Sequence, residues 1–210
     1  LHRSGHSFPT RRSSDLALSK ILFENIYKKI ISRLDQELPG SLVYHNVNHT
    51  KYVLEKAVKL AASENITGRE LELIKIAALY HDTGFLLSHI EHENLGCLIA
   101  SRDLQELFLD PVEIDMICGM IAATKIPQRP KNIFEKIVAD ADLFYLGTPN
   151  YNQFSKKLHK ELKHFDPSIN DEKWLKIQVN FLSSHSYHTK YGKEILEPVK
   201  IDILNSLCLR

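Results

Sequence analysis

The sequence contains few of the residues that would indicate a disulfide-stabilised or metal-thiolate protein. It has three cysteines, Cys97, Cys118 and Cys208, which are scattered and lack the spacing of a zinc site or a disulfide framework. We therefore predict reduced thiols that pack in the core of a cytoplasmic protein.

Long apolar runs and an excess of one charge are also absent. No stretch approaches the roughly 18 consecutive apolar residues of a membrane span, and no charged start with an apolar core indicates a signal peptide. The 27 Lys and Arg residues nearly balance the 26 Asp and Glu residues. Because no overall field would then attract nucleic acid or an anionic membrane, we expect a soluble chain that recognises its partner through a local site. The sequence is compatible with a monomer and with a homodimer.

The beginning of the chain differs from the rest. Residues 1–16 show no hydrophobic periodicity and resemble the translation of a common DNA-sequencing adapter. We interpret them as a sequencing-library artefact with no physical role, and exclude them from the fold. The length that remains, residues 17–209, fits a single domain with a full core.

Residues from Ala17 onward follow helical periodicity, and no segment alternates with period two. The expected fold class is all-α. We predict helices over residues 17–38, 48–63, 67–80 (opened by a capping box), 92–107, 111–123 and 132–145, with two or three more over 151–209.

A buried His-Asp pair is the strongest functional signal. Residues 71–79 are apolar almost all round, which is typical of a helix inside a protein. His81 and Asp82 follow this helix, with Gly84 as a predicted helix stop. A buried carboxylate beside an imidazole must be paired or must hold a cation. Taken alone, the two residues leave open a simple hydrogen bond at a helix end.

Two other stretches offer further ligands. His45 and His49 lie four residues apart and can share one face at the start of the second helix. Asp140 and Asp142 lie within an otherwise apolar helical segment, where an unpaired carboxylate would be destabilising. Imidazole and carboxylate donors suit Mn, Fe, Co, Ni or Zn better than a metal that prefers thiolates.

The order of these residues resembles the HD superfamily of metal-dependent phosphohydrolases. That pattern consists of a His, a His-Asp dyad and a distal Asp, which His49, His81-Asp82 and Asp142 match. The sequence YHNVNHT at 44–50 is similar to an element of cyclic-nucleotide phosphodiesterases. The sequences HDTGF at 81–85 and HENLG at 92–96 resemble small stand-alone bacterial members. The resemblance extends over residues 17–209.

The resemblance implies an HD-domain helical bundle with a buried metal site formed by His49, His81, Asp82 and Asp142. A divalent cation there, with a second ion such as Mg²⁺ left open, would activate water and polarise a phosphoryl oxygen. His45 corresponds to the proton donor of related phosphodiesterases, with a supporting or capping role as its alternative. Asp82 is counted with His45 as catalytic.

The same comparison suggests roles for residues around this site. The family's Ala-Asp-Leu context selects Asp142 as the ligand and leaves Asp140 as an orienting residue or a surface charge. His92 is expected to hold a second cation or a phosphate oxygen, and Lys125 to contact phosphate; solvent-facing positions are their alternatives. Three polar residues near the end of the sequence form a late polar cluster: His185, Tyr187 and Thr189. We can derive no role for this cluster from the sequence.

The leading prediction is hydrolysis of a phosphoester in a nucleotide or another small phosphorylated metabolite, by a phosphomonoesterase or a phosphodiesterase. The alternatives are an HD-type diiron oxygenase and a non-catalytic signalling module that binds a phosphorylated ligand. Two specialised activities are disfavoured. The chain lacks the adjacent histidines of three-metal members, and residues 85–87 are FLL where members acting on guanosine tetraphosphate carry a Glu-Asp pair.

Overall fold

The computed structural model describes residues 13–209, with side chains from residue 20 onward, and every regular element in this range is helical. This confirms the all-α prediction. Most of segment 1–16 lies outside the described residues, so its interpretation and the boundary at residue 17 stay predictions. The α-helices are α1 (Ser13–Glu37), α2 (Val47–Ser63), α3 (Gly68–Tyr80), α4 (His92–Glu106), α5 (Pro111–Ala122), α6 (Ile133–Asp142), α7 (Tyr151–Phe165), α8 (Asp171–Ser184) and α9 (Glu197–Cys208).

Helix α3 is the central element of the bundle. Because its residues 71–79 are apolar almost all round, other helices can pack against most of its surface, and it contacts α1, α2, α4, α5 and α6. Ile74, Ala77 and Leu79 are fully buried, and so is His81, which follows the helix directly. The burial of α3 therefore carries His81 into the interior.

Two short segments modify the predicted helices. The helix expected over residues 132–145 ends at Asp142, and a 3-10 turn, Phe144–Gly147, follows it. A π-helical segment, Gly192–Leu196, precedes α9. Asp142 thus lies at the end of a helix, where its side chain can reach a neighbouring element.

The predicted capping box at the start of α3 is not formed. Thr67 occupies the N-cap position, but its side chain makes no capping hydrogen bond. Gly68 adopts a left-handed φ of 62°, so the first turn departs from the geometry that a capping box requires. Arg69 instead forms ion pairs with Glu72 and Glu113.

Gly84 does not end α3, which closes at Tyr80; it lies inside a 3-10 turn, Thr83–Leu86. A Cβ atom at Gly84 would come within 1.8 Å of the His92 carbonyl oxygen. The absence of a side chain therefore lets the start of α4 pack directly against this turn.

Two of the cysteines face each other between α4 and α5. Cys97 Sγ lies 3.3 Å from the Cys118 carbonyl oxygen, and Cys118 Sγ lies 3.6 Å from that of Cys97. Cys208 is exposed, so the core prediction is wrong for this residue, because its side chain lies on the outer face of the last turn of α9, where the neighbouring Leu207 faces inward. Among the described helices, none has the length and apolar content needed to cross a membrane.

Candidate metal centre

Four predicted ligands converge where α2, α3 and α6 meet. His49 Nε2 lies 3.0 Å from Asp142 Oδ1 and 3.3 Å from His81 Nε2. Asp82 Oδ2 lies 3.1 Å from His81 Nε2 and 3.4 Å from His49 Nε2. The most compact group is His49, His81 and Asp142, whose ligand atoms all lie within 4.8 Å of one another. Asp82 borders this group through its contacts with both imidazoles.

The start of α2 positions His49. The Asn46 side chain caps the helix by accepting hydrogen bonds from the backbone N–H groups of Asn48, at 2.9 Å, and His49, at 3.4 Å. This cap holds the first turn so that His49 faces inward, with 3% of its surface exposed. Asn46, which directly follows His45 in the motif, therefore has a structural role.

The His81–Asp82 pair concentrates charge in the interior. His81 Nδ1 donates to the Ala78 carbonyl at 2.9 Å, which directs Nε2 toward the other ligands. Burial lowers the pKa of His81, but the Asp82 and Asp142 carboxylates outweigh burial and raise that pKa to about 9. Burial likewise opposes ionisation of Asp82, yet His81 holds the pKa of Asp82 far below its ordinary value. Positive charge at this centre is thus strongly favoured.

The donor set fits a divalent metal. Asp82 Oδ2 is buried and accepts no hydrogen bond, and the two imidazole Nε2 atoms lie only 3.3 Å apart. One cation would satisfy these groups together, whereas protons would have to be shared among them. Nitrogen and oxygen donors suit a first-row transition metal. The His, His and Asp cluster can therefore hold a divalent ion.

Glu161 of α7 supports His45 and was not identified from the sequence. Its carboxylate accepts hydrogen bonds from the backbone N–H groups of Tyr44, at 2.7 Å, and His45, at 3.1 Å, and it contacts His45 Nδ1. Glu161 is 1% exposed. The only signal in the sequence is an acidic residue on the apolar face of α7, which follows Phe154 by seven residues and Leu158 by three.

The contact with Glu161 orients the His45 ring and raises the pKa of its imidazole. Because Nδ1 faces Glu161, Nε2 is the ring nitrogen left for other partners. Burial lowers the pKa of His45, but the hydrogen bond to Glu161 and the Asp82 charge outweigh burial and raise that pKa above its ordinary value. The ring of Phe85 packs against both His45, at 4.3 Å between centroids, and His92, at 4.2 Å.

The structure separates the two residues predicted to bind substrate. His92 lies beside the centre, with Nε2 3.8 Å from Asp82 Oδ1 and 3.5 Å from Glu93 Oε1. Lys125 Nζ instead contacts the Glu91 carboxylate at 2.7 and 2.8 Å on the surface. Within the described chain, Lys125 does not line the cavity next to the centre. Lys125 is thus paired with Glu91 in this structure, and its contact with phosphate stays a prediction.

Asp140 anchors a loop and contacts none of the predicted ligands. It is fully buried, so a surface charge is ruled out. Its carboxylate accepts hydrogen bonds from the backbone N–H groups of His188, at 3.0 Å, and Thr189, at 2.8 Å, and from the Thr189 hydroxyl at 2.7 Å. Tyr187 donates to the Leu143 carbonyl at 3.0 Å. The late polar cluster thus holds the end of α6, next to Asp142.

A cavity of about 270 Å³ opens beside the centre. Predicted site residues line one part of it: His45, Asp82, His92 and Asp142. Side chains from α7 and α8 line another part. A molecule in this cavity would therefore touch both His45 and the metal cluster.

Comparison with known proteins places this arrangement in a family. Residues 46–145 match the HD domain. No curated protein matches the chain. Three solved structures share its fold. Bacillus subtilis YpgQ, solved in complex with ADP, has 16% identity and a TM-score of 0.61, with 89% of this chain and 94% of that chain covered.

The other two structures come from different bacteria. A protein described as a predicted HD superfamily hydrolase, from an uncultured Thermotogales bacterium, has 18% identity, a TM-score of 0.56, and coverage of 95% of this chain and 97% of that one. A Lactobacillus plantarum protein has 14% identity, a TM-score of 0.59, and coverage of 89% and 96%. The HD match contains all four converging ligands. The presence of an HD domain supports a metal-dependent phosphohydrolase in general. The chain contains an HD domain over residues 46–145.

Proposed function

We propose that the protein is a metal-dependent phosphohydrolase that cleaves a phosphoester in a nucleotide or another small phosphorylated metabolite. The observation that carries this proposal is the convergence of His49, His81, Asp82 and Asp142 next to a cavity that also contains His45. These four residues would hold the cation.

A divalent transition metal supplies Lewis-acid polarisation of a phosphoryl oxygen and makes water more acidic. The chain supplies the remaining functions. Glu161 orients His45 and favours its protonated form, so that Nε2 can donate a proton to the leaving oxygen. The buried ligands exclude bulk water from one side of the site, which strengthens the electrostatic interactions within it.

A screen of metal-loaded protein tests the proposal. Purified protein would be reconstituted separately with Mn, Fe, Co, Ni or Zn and assayed against phosphomonoesters and phosphodiesters, with metal content measured in parallel. We expect hydrolysis that depends on the metal and is lost in Asp142→Asn. Stoichiometric metal without hydrolysis of any ester would contradict the proposal, and ligand binding without turnover would favour a signalling module.

The role of His45 predicts a dependence on the leaving group. His45→Ala should retain metal and substrate affinity but lose roughly a hundredfold or more in turnover, as is usual when a general acid is removed. The loss should shrink with a nitrophenyl ester, because nitrophenolate departs without protonation. Glu161→Gln, which preserves shape, should show the same trend more weakly. Equal losses on good and poor leaving groups would exclude His45 as the acid.

A second candidate function, a diiron oxygenase, is supported by one group of contacts. His92 Nε2 lies 3.8 Å from Asp82 Oδ1 and 3.5 Å from Glu93 Oε1, so the imidazole stands between two carboxylates. These atoms could hold a second ion, either Mg²⁺ for phosphate or a second iron. Two irons per chain together with oxygen uptake would favour the oxygenase, whereas phosphoester hydrolysis without oxygen uptake would exclude it.

A further inference from the structure

The wall that α7 and α8 contribute to the cavity is apolar. Its apolar members are Leu158, Leu162, Trp174, Ile177 and Phe181. The polar side chains on this wall interact with one another, because the hydroxyls of Tyr151 and Ser155 donate to Gln178 Oε1 at 2.8 and 2.6 Å. This wall therefore suits a ligand surface without charge.

The lining of the cavity carries more negative than positive charge. Among the described residues that line it, none is Lys or Arg, and only His45 and His92 can become cationic. Three carboxylates also line it: Asp82, Asp142 and Glu93. The positive charge that a bound cation would bring is confined to the ligand cluster.

A phosphate that enters this cavity can be neutralised at one end only, where the ligand cluster, His45 and His92 lie together. One phosphoryl group would lie at the cluster, within reach of the cation and His45. A second or third phosphate would lie beside carboxylates or against the apolar wall, without a cation to pair with it. Burying an unpaired anion is costly. Lys125, which the sequence indicated as a contact for phosphate, does not line the cavity and is paired with Glu91.

We propose that the substrate is a phosphate monoester whose organic part is uncharged and apolar, either alkyl or aromatic, and is not a nucleoside diphosphate or triphosphate. This inference rests on the proposed phosphohydrolase function and narrows its substrate class. The cluster binds the phosphoryl group, and the α7–α8 wall binds the organic part.

Binding of phosphonates tests this assignment without catalysis. Trp174 is the single tryptophan of the chain and lines the cavity, so its fluorescence reports occupancy. Metal-loaded protein would be titrated with methyl-, butyl-, hexyl- and phenylphosphonate, and with ADP. We expect affinity to rise about fourfold for each buried methylene, and hexylphosphonate to bind more tightly than ADP. The phenyl probe separates an aromatic from an alkyl preference.

Two variants locate the apolar contact. Leu158→Ala and Ile177→Ala should each weaken hexylphosphonate binding about fivefold to tenfold, because each removes apolar area, and should leave methylphosphonate binding unchanged. Val112→Ala is the matched control, since Val112 is exposed on α5 and lies outside the cavity. Thermal melting verifies folding, and either variant is sufficient for the test.

The outcomes separate this inference from the proposed function. Affinity that is independent of chain length, or tighter binding of ADP, would overturn the inference even if phosphoesters are hydrolysed. Binding that rises with chain length, in a protein that hydrolyses no ester, would support the apolar ligand class and contradict the hydrolase. An equal loss of both phosphonates in Leu158→Ala and Ile177→Ala would also overturn the inference.

Discussion

At the scale of single residues, the two aspartates of α6, Asp140 and Asp142, have different roles. Asp142 points to His49 at 3.0 Å, whereas Asp140 is buried against the backbone of residues 188–189. Desolvation raises the pKa of Asp140, and the hydrogen bonds from Thr189 and His188 only partly oppose it. A shift of two positions along the helix therefore separates metal binding from loop anchoring.

This division predicts opposite effects for two matched substitutions. Asp142→Asn should abolish metal binding and change the free energy of unfolding of metal-free protein little. Asp140→Asn should retain one metal per folded chain but lower that free energy by about 1–3 kcal/mol, because it weakens buried hydrogen bonds. Elemental analysis and urea unfolding measure the two effects. Full metal occupancy in Asp142→Asn would refute the ligand assignment.

A half-buried histidine that is not one of the metal ligands, His185, predicts a dependence of stability on pH. Burial and the neighbouring Lys200 lower the pKa of His185 to about 4; Glu197 and His188 also face this group. An unfolded histidine has a pKa of about 6.5. The unfolded state therefore binds more protons below about pH 6.5, and stability falls with acid by about 2 kcal/mol at pH 5.

Replacing His185 with glutamine should flatten this pH dependence. Urea unfolding of His185→Gln at pH 7 and pH 5 would show a smaller difference than the parent protein shows. His164→Gln, at an exposed position on α7, is the control and should behave like the parent. An unchanged pH dependence in His185→Gln would show that other groups dominate acid destabilisation.

At the scale of elements, the contact between the 3-10 turn and α4 places His92 beside Asp82. Gly84 lies against the His92 backbone, and a Cβ atom there would meet the carbonyl oxygen at 1.8 Å and the Cα atom at 2.8 Å. These are backbone atoms, so no side-chain rotation can relieve the clash. The start of α4 would have to move.

Gly84→Ala should therefore destabilise the protein by about 1–3 kcal/mol or more, as overpacking does, and should displace His92. Gly40→Ala is the matched control, because nothing lies within 4 Å of a Cβ atom at Gly40; its effect should stay within about 0.5 kcal/mol. Thermal melting measures both. Equal stability of the two variants would contradict the close packing of turn and helix.

The metal cluster joins α2, α3 and α6, so occupancy should stabilise the whole molecule. A cation at about 100 times its dissociation constant raises the free energy of unfolding by about 2.7 kcal/mol. For a chain of this size we expect the Tm to rise by about 5–10 °C. Melting with and without Mn²⁺ or Zn²⁺ tests this. Asp142→Asn should show no shift, and a shift of equal size there would place the ion elsewhere.

The local sequence pattern was sufficient to predict the helices and to identify the residues that converge at the metal centre. Apolar spacing predicted the helical segments, and the all-round apolar character of α3 predicted that His81 would be buried, because periodicity reports directly on which faces pack. The motif order also identified His49, Asp82 and Asp142 as a group. The errors at Thr67 and Gly84 are local ones, in which backbone geometry overrode residue preference.

Contacts between distant segments were decided only by the tertiary structure. Glu161 lies 116 positions from His45, and Thr189 lies 49 positions from Asp140. The pairing of Lys125 with Glu91 and the apolar wall formed by α7 and α8 likewise depend on how separate elements pack. Spacing along a chain describes which residues share a face of one helix, but it contains no information about which faces meet. The partner of His45 and the chemical character of the cavity therefore became apparent only when the helices were assembled.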